Sequence, residues 1–312
     1  MSWTPQVAVM IPCLNEEAAI GQVVADFRKH VPDSLIFVYD NGSTDRTAEV
    51  ARKAGAIVRI EPLKGKGNVV RRMFADVEAD IYVLVDGDDT YDAASAPALI
   101  KRLMEDSLDM INGAREEKSE LAYRRGHRFG NRMLTGLVAW FFGERMGDML
   151  SGYRIMSRRF VKSFPALASG FEIETELTVH ALQLRLPIAE VATPYRERPP
   201  ASSSKLRTIP DGIRIMHLIT RLIREERPLE FFSAVAALLA IASVVLSVPV
   251  IAEYMRTGLV PRFPTAILSV GLMMVSFLSL TCGLVLATVT RGRMEAKRLQ
   301  YLNVPIRFQR PR

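Results

Sequence analysis

Asp86, Asp88 and Asp89 stand together in Val83-Leu84-Val85-Asp86-Gly87-Asp88-Asp89-Thr90, directly after a run of strand-type apolar residues. Neighbouring carboxylates repel and raise each other's pKa unless a cation lies between them. Oxygen ligands of this kind suit Mg²⁺ or Mn²⁺, which keep positions open for water and substrate phosphates. A plainer reading makes Asp89 or Thr90 the cap of a following helix. The loop Lys64-Gly65-Lys66-Gly67-Asn68 favours the cation: glycines for close backbone approach, two lysines and a helix N-terminus together suit an anion such as a diphosphate.

Strands and helices must bring these groups together. Residues 7–11, 35–39, 57–60 and 81–85 read as strands. Asn15-Glu16-Glu17 opens a helix running to about His30, Ser43 or Thr44 caps a helix through Ala54, and another helix covers 68–77. This alternation predicts an α/β fold with a mostly parallel sheet flanked by helices, whose ligands sit beyond the carboxyl ends of the strands. Asn15, Asp40 and Asp86 all follow strand ends, so they are expected at one crevice. After Gly170-Phe171, the acids Glu172, Glu174 and Glu176 begin a further helix, favoured by its dipole. His180, about one turn beyond Glu176, reads as a packed histidine rather than a metal ligand.

The 312 residues carry a net charge of +7 with 49% apolar content. Residues 231–251 and 263–290 hold no charged side chain and are long enough to cross a bilayer. Arg221, Arg224 and Arg227 precede the first stretch, and Arg291, Arg293, Lys297 and Arg298 follow the second. The short connection carries only Arg256 and Arg262. The positive-inside rule then places the N-terminal part and the C-terminal tail in the cytoplasm, in an inner (plasma) membrane protein. Residues 1–6 show no signal-peptide pattern. Basic residues clustered around these stretches suit anionic lipid headgroups, so no nucleic-acid partner is expected. Before the first stretch, from Ile209 to Leu222, Ile213, Met216, Ile219 and Leu222 recur at helical spacing with interleaved arginines, as in a helix lying in the membrane interface. The expected division is a catalytic domain at 1–206, a juxtamembrane amphipathic helix at 207–227, a two-helix membrane hairpin at 228–290 and a basic tail at 291–312. Cys13 and Cys282 read as packing residues. Gly271, Ser276, Ser279 and Gly283 permit helix association and hence a homo-oligomer.

Ile11-Pro12-Cys13-Leu14-Asn15-Glu16-Glu17, Tyr39-Asp40-Asn41-Gly42-Ser43-Thr44-Asp45, the Lys64 loop and Asp86-Gly87-Asp88 resemble, in order and spacing, the inverting glycosyltransferases of family 2, with their GT-A nucleotide-sugar-binding sheet. Asp148-Met149-Leu150-Ser151-Gly152-Tyr153-Arg154 is similar to the acceptor-side motif. Ser202-Ser203-Ser204-Lys205-Leu206 followed by two apolar stretches resembles the subgroup that charges a polyprenyl phosphate with a sugar, such as dolichol-phosphate mannose synthase and undecaprenyl-phosphate glycosyltransferases.

The resemblance implies that Asp40 accepts a hydrogen bond from the base while Pro12, Asn15 and Glu16 shape the nucleotide pocket. Asp86 and Asp88, with Gly87 between them, would hold Mg²⁺ or Mn²⁺ against the diphosphate, beside Lys64, Lys66 and Gly67. The chain departs from a common family pattern at Asn41, where relatives often carry a second acid. Asp88 and Asp148 are the expected catalytic residues, with Asp148 orienting more than deprotonating, because a lipid phosphate is already ionised. An ion pair of Asp148 with Arg145 or Arg154 is the plainer alternative. Arg198, Ser204 and Lys205 are candidates for the acceptor phosphate. Arg124, Arg125 and Arg128 read as a solvated face that attracts headgroups. The expected partners are a nucleotide sugar (UDP before GDP), a polyprenyl phosphate, the membrane, a separate flippase and a downstream glycosyltransferase. Two alternatives are elongation of a glycolipid or polysaccharide, against which the absence of a Gln-x-x-Arg-Trp signature counts, and a non-catalytic membrane scaffold or transport component.

Overall fold

The computed structural model describes residues 4–116, 136, 146–196, 224 and 227–305. It divides into two compact units, Met1–Ile215 with Lys297–Arg312, and Met216–Ala296.

The first unit is built on a seven-stranded sheet in the order β3-β2-β1-β4-β6-β5-β7. Its strands are β1 (Val7–Cys13), β2 (Leu35–Asp40), β3 (Ile57–Ile60), β4 (Ile81–Leu84), β5 (Met110–Glu116), β6 (Arg154–Ser157) and β7 (Ile188–Pro194). The helices are α1 (Ile20–His30), α2 (Thr47–Lys53), α3 (Lys66–Asp76), α4 (Ala96–Glu105), α5 (Arg158–Ser163) and α6 (Ile173–Leu184). Central strands β1 and β4 are almost wholly buried, as expected of strands covered on both faces. Helix α1 turns Ile20, Val23, Val24 and Phe27, one face of a 3.6-residue period, into the core against β1 and β2. The predicted α/β class and mostly parallel sheet are observed: β1 is parallel to β2 and β4, and β2 to β3. The exception is β6, antiparallel to both β4 and β5. Four residues beginning with a buried arginine carry no strand signal of their own.

Two helix starts differ from the expected ones. Residues 15–17 form a turn and α1 begins at Ile20, because Asn15 adopts a left-handed φ of 54° and its loop is hydrogen-bonded sideways to residues 43–47. Ser43 and Thr44 do not cap α2, which begins at Thr47 without a side-chain cap. Ser43 bonds Asp40 instead, and Thr44 bonds Asn15.

The second unit contains α7 (Pro228–Thr257) and most of α8 (Phe263–Asn303), both long and apolar enough to cross a membrane. Only 17% and 11% of their most apolar windows are buried, whereas the core helix of a soluble protein would be mostly buried. The two helices are joined by side-chain bonds to backbone: Ser243 to the Ser269 carbonyl (2.6 Å), Ser276 to that of Ala236 (2.7 Å) and Ser279 to that of Phe232 (3.1 Å). Gly283 packs against Phe232. Ser276, Ser279 and Gly283 are therefore spent within the chain, which removes them as an argument for a homo-oligomer; only Gly271 faces open space. Cys282 is exposed along α8 and is not a packing residue there.

The end of α8 does more than form a basic tail. From Lys297 onward it packs in the first unit, where the Tyr301 hydroxyl donates to Asp109 Oδ2 at 2.6 Å and Lys297 Nζ donates to Gln183 at 2.8 Å. The Arg159 guanidinium lies 4.2 Å from the centre of the Tyr301 ring.

Candidate active site

The loops after β1 and β2 are sewn to each other. Asn15 N–H donates to Ser43 Oγ (2.9 Å), Thr44 N–H to Asn15 Oδ1 (2.8 Å) and Glu16 N–H to Thr47 Oγ1 (2.8 Å). Asp40 is buried at the end of β2 and accepts both the N–H and the hydroxyl of Ser43. Pro12 pairs across to Tyr39 one residue earlier. Asn41, in place of a second acid, is a tie to the next loop: its amide donates to the carbonyls of Glu61 (2.9 Å) and Leu63 (2.7 Å) and accepts from Gly65 N–H (2.7 Å).

That tie leads to the lysine loop, whose two lysines part company. Lys64 is exposed. Lys66 turns inward, with only 8% of its side chain exposed, and places its ammonium 2.5 Å from both Asp86 Oδ1 and Glu174 Oε1. Burial alone would pull this ammonium down, but the two carboxylates outweigh it and hold it above the ordinary lysine value. Of the three acids opening α6, Glu174 is thus the one facing the site. Glu176 instead accepts the N–H groups of Leu167 (3.0 Å) and Ala168 (2.8 Å). It shapes the backbone against which Gly65 and Gly67 sit, since a Cβ on either would collide with the Ser169 or Ala168 carbonyl. The close approach that these glycines allow is to protein backbone, a use not foreseen from the sequence.

The acidic turn is packed from beneath. A Cβ on Gly87 would meet Cys13 Sγ at 2.5 Å, and the Asp86 carboxylate lies over Gly152 so tightly that any Cβ there would collide with it. Gly152 N–H in turn donates to the buried Tyr91 hydroxyl at 2.8 Å. Asp88, 3% exposed, accepts the Thr90 hydroxyl at 2.6 Å, and Asp89 takes a left-handed φ of 59°.

Asp148 lies in a separate, rigid nest. Among the described residues its ion-pair partner is Arg115 rather than Arg154, and Arg145 lies outside those residues. Arg115 makes a bidentate pair with it, Nε to Oδ2 at 2.7 Å and Nη2 to Oδ1 at 2.8 Å. Burial pushes the Asp148 carboxyl up, but the Arg115 hydrogen bonds and charge outweigh that and hold it below the usual range. Glu190 accepts the N–H groups of Gly147 (2.9 Å) and Asp148 (3.2 Å), while Asn112 donates to the Asp148 carbonyl (2.7 Å). Arg154 is wholly buried and binds the Met149 and Glu174 carbonyls, each at 3.0 Å, joining this nest to the start of α6. Arg115 and Glu190 were not foreseen as site residues, since their partners in this nest lie 33 to 43 positions away.

Arg198, Ser204 and Lys205, the expected acceptor-phosphate residues, lie outside the described residues, as do Arg124, Arg125, Arg128 and residues 207–222. His180 is packed between Phe160 and Phe164, and neither ring nitrogen has a hydrogen-bond partner among the described residues. Burial, with the Lys297 charge second, pushes it down to about 3.

The carboxylates at the acidic turn are the donor type that suits a hard divalent cation, and Asp86 and Asp88 are the residues that would hold one. Asp86 already carries a cation, the Lys66 ammonium, and so stands where positive charge is favoured. Among the described residues no cluster of three or more acids, histidines or cysteines converges. Two carboxylates leave most of the coordination sphere to water and phosphate oxygens, as Mg²⁺ and Mn²⁺ prefer.

The family model for glycosyl transferase family 2 matches residues 8–164. The chain is 58% identical to Protein RfbJ of Shigella flexneri over 123 residues, covering 39% of this chain and 95% of that protein. It is 32% identical to Dolichyl-phosphate hexose transferase of Haloferax volcanii over 221 residues, covering 71% of this chain and 95% of the relative. Among solved structures, it resembles glucosyl-3-phosphoglycerate synthase from Mycobacterium tuberculosis in complex with Mn²⁺, uridine-diphosphate-glucose and phosphoglyceric acid. The TM-score is 0.50 at 27% identity, covering 62% of this chain and 73% of that one. With half its length matched, including Asp40, Lys66 and Asp86, this chain belongs to glycosyl transferase family 2.

Proposed function

We propose that this glycosyltransferase moves one sugar from a nucleotide sugar, UDP-linked before GDP-linked, to a polyprenyl phosphate at the cytoplasmic face of a membrane. The observation that carries this reading is the presence in one chain of the acidic turn with its buried lysine and two long, mostly exposed apolar helices. Similarity over most of its length to a dolichyl-phosphate hexose transferase supports the lipid acceptor. Arg227 before α7 and Arg291, Arg293 and Lys297 late in α8, against Arg256 in the last turn of α7 and Arg262 in the connection, support a cytoplasmic catalytic unit.

A divalent cation held by Asp86 and Asp88 would offset charge developing on the departing diphosphate. The residues of the chain do the rest. The loop of Asn15, Asp40 and Ser43, held rigid by its cross-bonds, presents a preformed nucleotide pocket. Lys66, held by Glu174, supplies positive charge at the acidic turn. Asp148 stays ionised in its pair with Arg115 and orients groups; an ionised phosphate oxygen needs no base to attack the sugar carbon.

The test is transfer of isotope from a panel of nucleotide sugars to extractable undecaprenyl phosphate by the purified full chain. Turnover that depends on Mn²⁺ or Mg²⁺, stops with EDTA and is lost in Asp88→Ala is the expected result. Label reaching only a soluble acceptor or a growing polymer would overturn the acceptor assignment.

A further inference from the structure

Lys66 holds a position that a bound cation would contest. Its ammonium sits 2.5 Å from Asp86 Oδ1, and the Asp86 carboxylate lies over Gly152, where any Cβ would collide with it. A second carboxylate, Glu174, holds the same ammonium at the same distance and is itself only 9% exposed. One lysine thus neutralises two acids, Glu174 buried and Asp86 partly exposed, and it has a second anchor should it lose the first.

We propose that Lys66 is an internal counter-ion that competes with the divalent cation for Asp86 and is retained by Glu174 when the cation enters. This inference rests on Asp86 being a holder of the metal and assigns Lys66 and Glu174 a role in tuning how tightly it is held. Like charges crowded on one carboxylate repel strongly where solvent is largely excluded. Entry of a dication therefore loosens the Lys66 contact to Asp86. The ammonium swings on its Glu174 anchor and its charge becomes available to an incoming anion. Before that anion arrives, metal binding is weakened by the cost of moving the lysine. The arrangement couples the metal to the diphosphate: each is held better once the other is present.

The test is Mn²⁺ binding to the full chain in detergent, read by electron paramagnetic resonance of free Mn²⁺ at fixed pH without nucleotide. Lys66→Met is expected to bind Mn²⁺ about tenfold more tightly than wild type, because two uncompensated carboxylates then face the ion. Glu174→Gln removes the retaining anchor, leaves Lys66 wholly on Asp86, and is expected to weaken Mn²⁺ binding. It also serves if Lys66→Met does not fold. Unchanged or weaker affinity in a folded Lys66→Met, or unchanged or tighter affinity in Glu174→Gln, overturns the proposal. Asp86→Ala separates the two levels. If it abolishes Mn²⁺ binding while the Lys66 and Glu174 variants behave as wild type, only the competition fails. If Asp86→Ala binds Mn²⁺ as wild type does, the metal site itself is wrong.

Discussion

Arg115 grips Asp148 with two parallel hydrogen bonds, at 2.7 and 2.8 Å, in a pocket where neither side chain is more than 16% exposed. Removing one member of a buried pair leaves the other charge uncompensated, which typically costs about 3–5 kcal/mol. Arg115→Met is therefore expected to lower stability by about that much, and Arg115→Met/Asp148→Asn to recover part of the loss, in denaturant unfolding of the full chain. The pair holds the Asp148 carboxyl below its unfolded value. Its contribution is thus complete above the ordinary aspartate range and fades as pH falls through the lowered folded value. Equal stability of wild type and Arg115→Met would contradict this.

Gly152 is the seat of Asp86. A methyl group there has no room, so Gly152→Ala is expected to displace the carboxylate and with it any ion it holds. Misplacement of about 1 Å at a reacting centre costs on the order of 100-fold in rate. Sugar transfer by Gly152→Ala should fall at least that far while its circular dichroism stays that of wild type. Undiminished transfer would show that Asp86 is not needed where the structure places it.

His180 is a neutral imidazole packed among aromatic rings, its pKa depressed by burial from 6.5 to about 3. Between those values the unfolded chain takes up a proton that the folded chain refuses, so stability falls on acidification, by at most about 1.4 kcal/mol per pH unit from this group. His180→Leu removes that group. The pH dependence of its unfolding midpoint from about pH 6.5 downward is expected to be flatter than that of wild type. Identical slopes would mean that His180 is not buried in neutral form.

Much of the architecture was legible along the chain, since periodicity and burial are local signals. Alternating strands and helices predicted the parallel half of the sheet. Residues placed just after strand ends, Asn15, Asp40 and Asp86, lie at that edge because strand direction alone decides which ends face together. The two uncharged stretches marked α7 and α8 for the same reason: length and composition suffice. Helix starts were less legible. Asn15 and Ser43 carry cap-like side chains, but cross-loop bonds claimed them first.

The sequence by itself carried the resemblance to the family through its motifs, and its periodicity determined the parallel sheet and the acids at its edge. Folding alone decided which of two lysines enters the site and which of three glutamates meets it, since Lys66 and Glu174 stand 108 positions apart. Folding likewise paired Asp148 with Arg115, inserted antiparallel β6 between β4 and β5, and turned Gly65 and Gly67 toward backbone. A side chain's type states what bond it can make. Which partner lies within 3 Å of it depends on how distant segments pack, and one-dimensional spacing does not carry that distance.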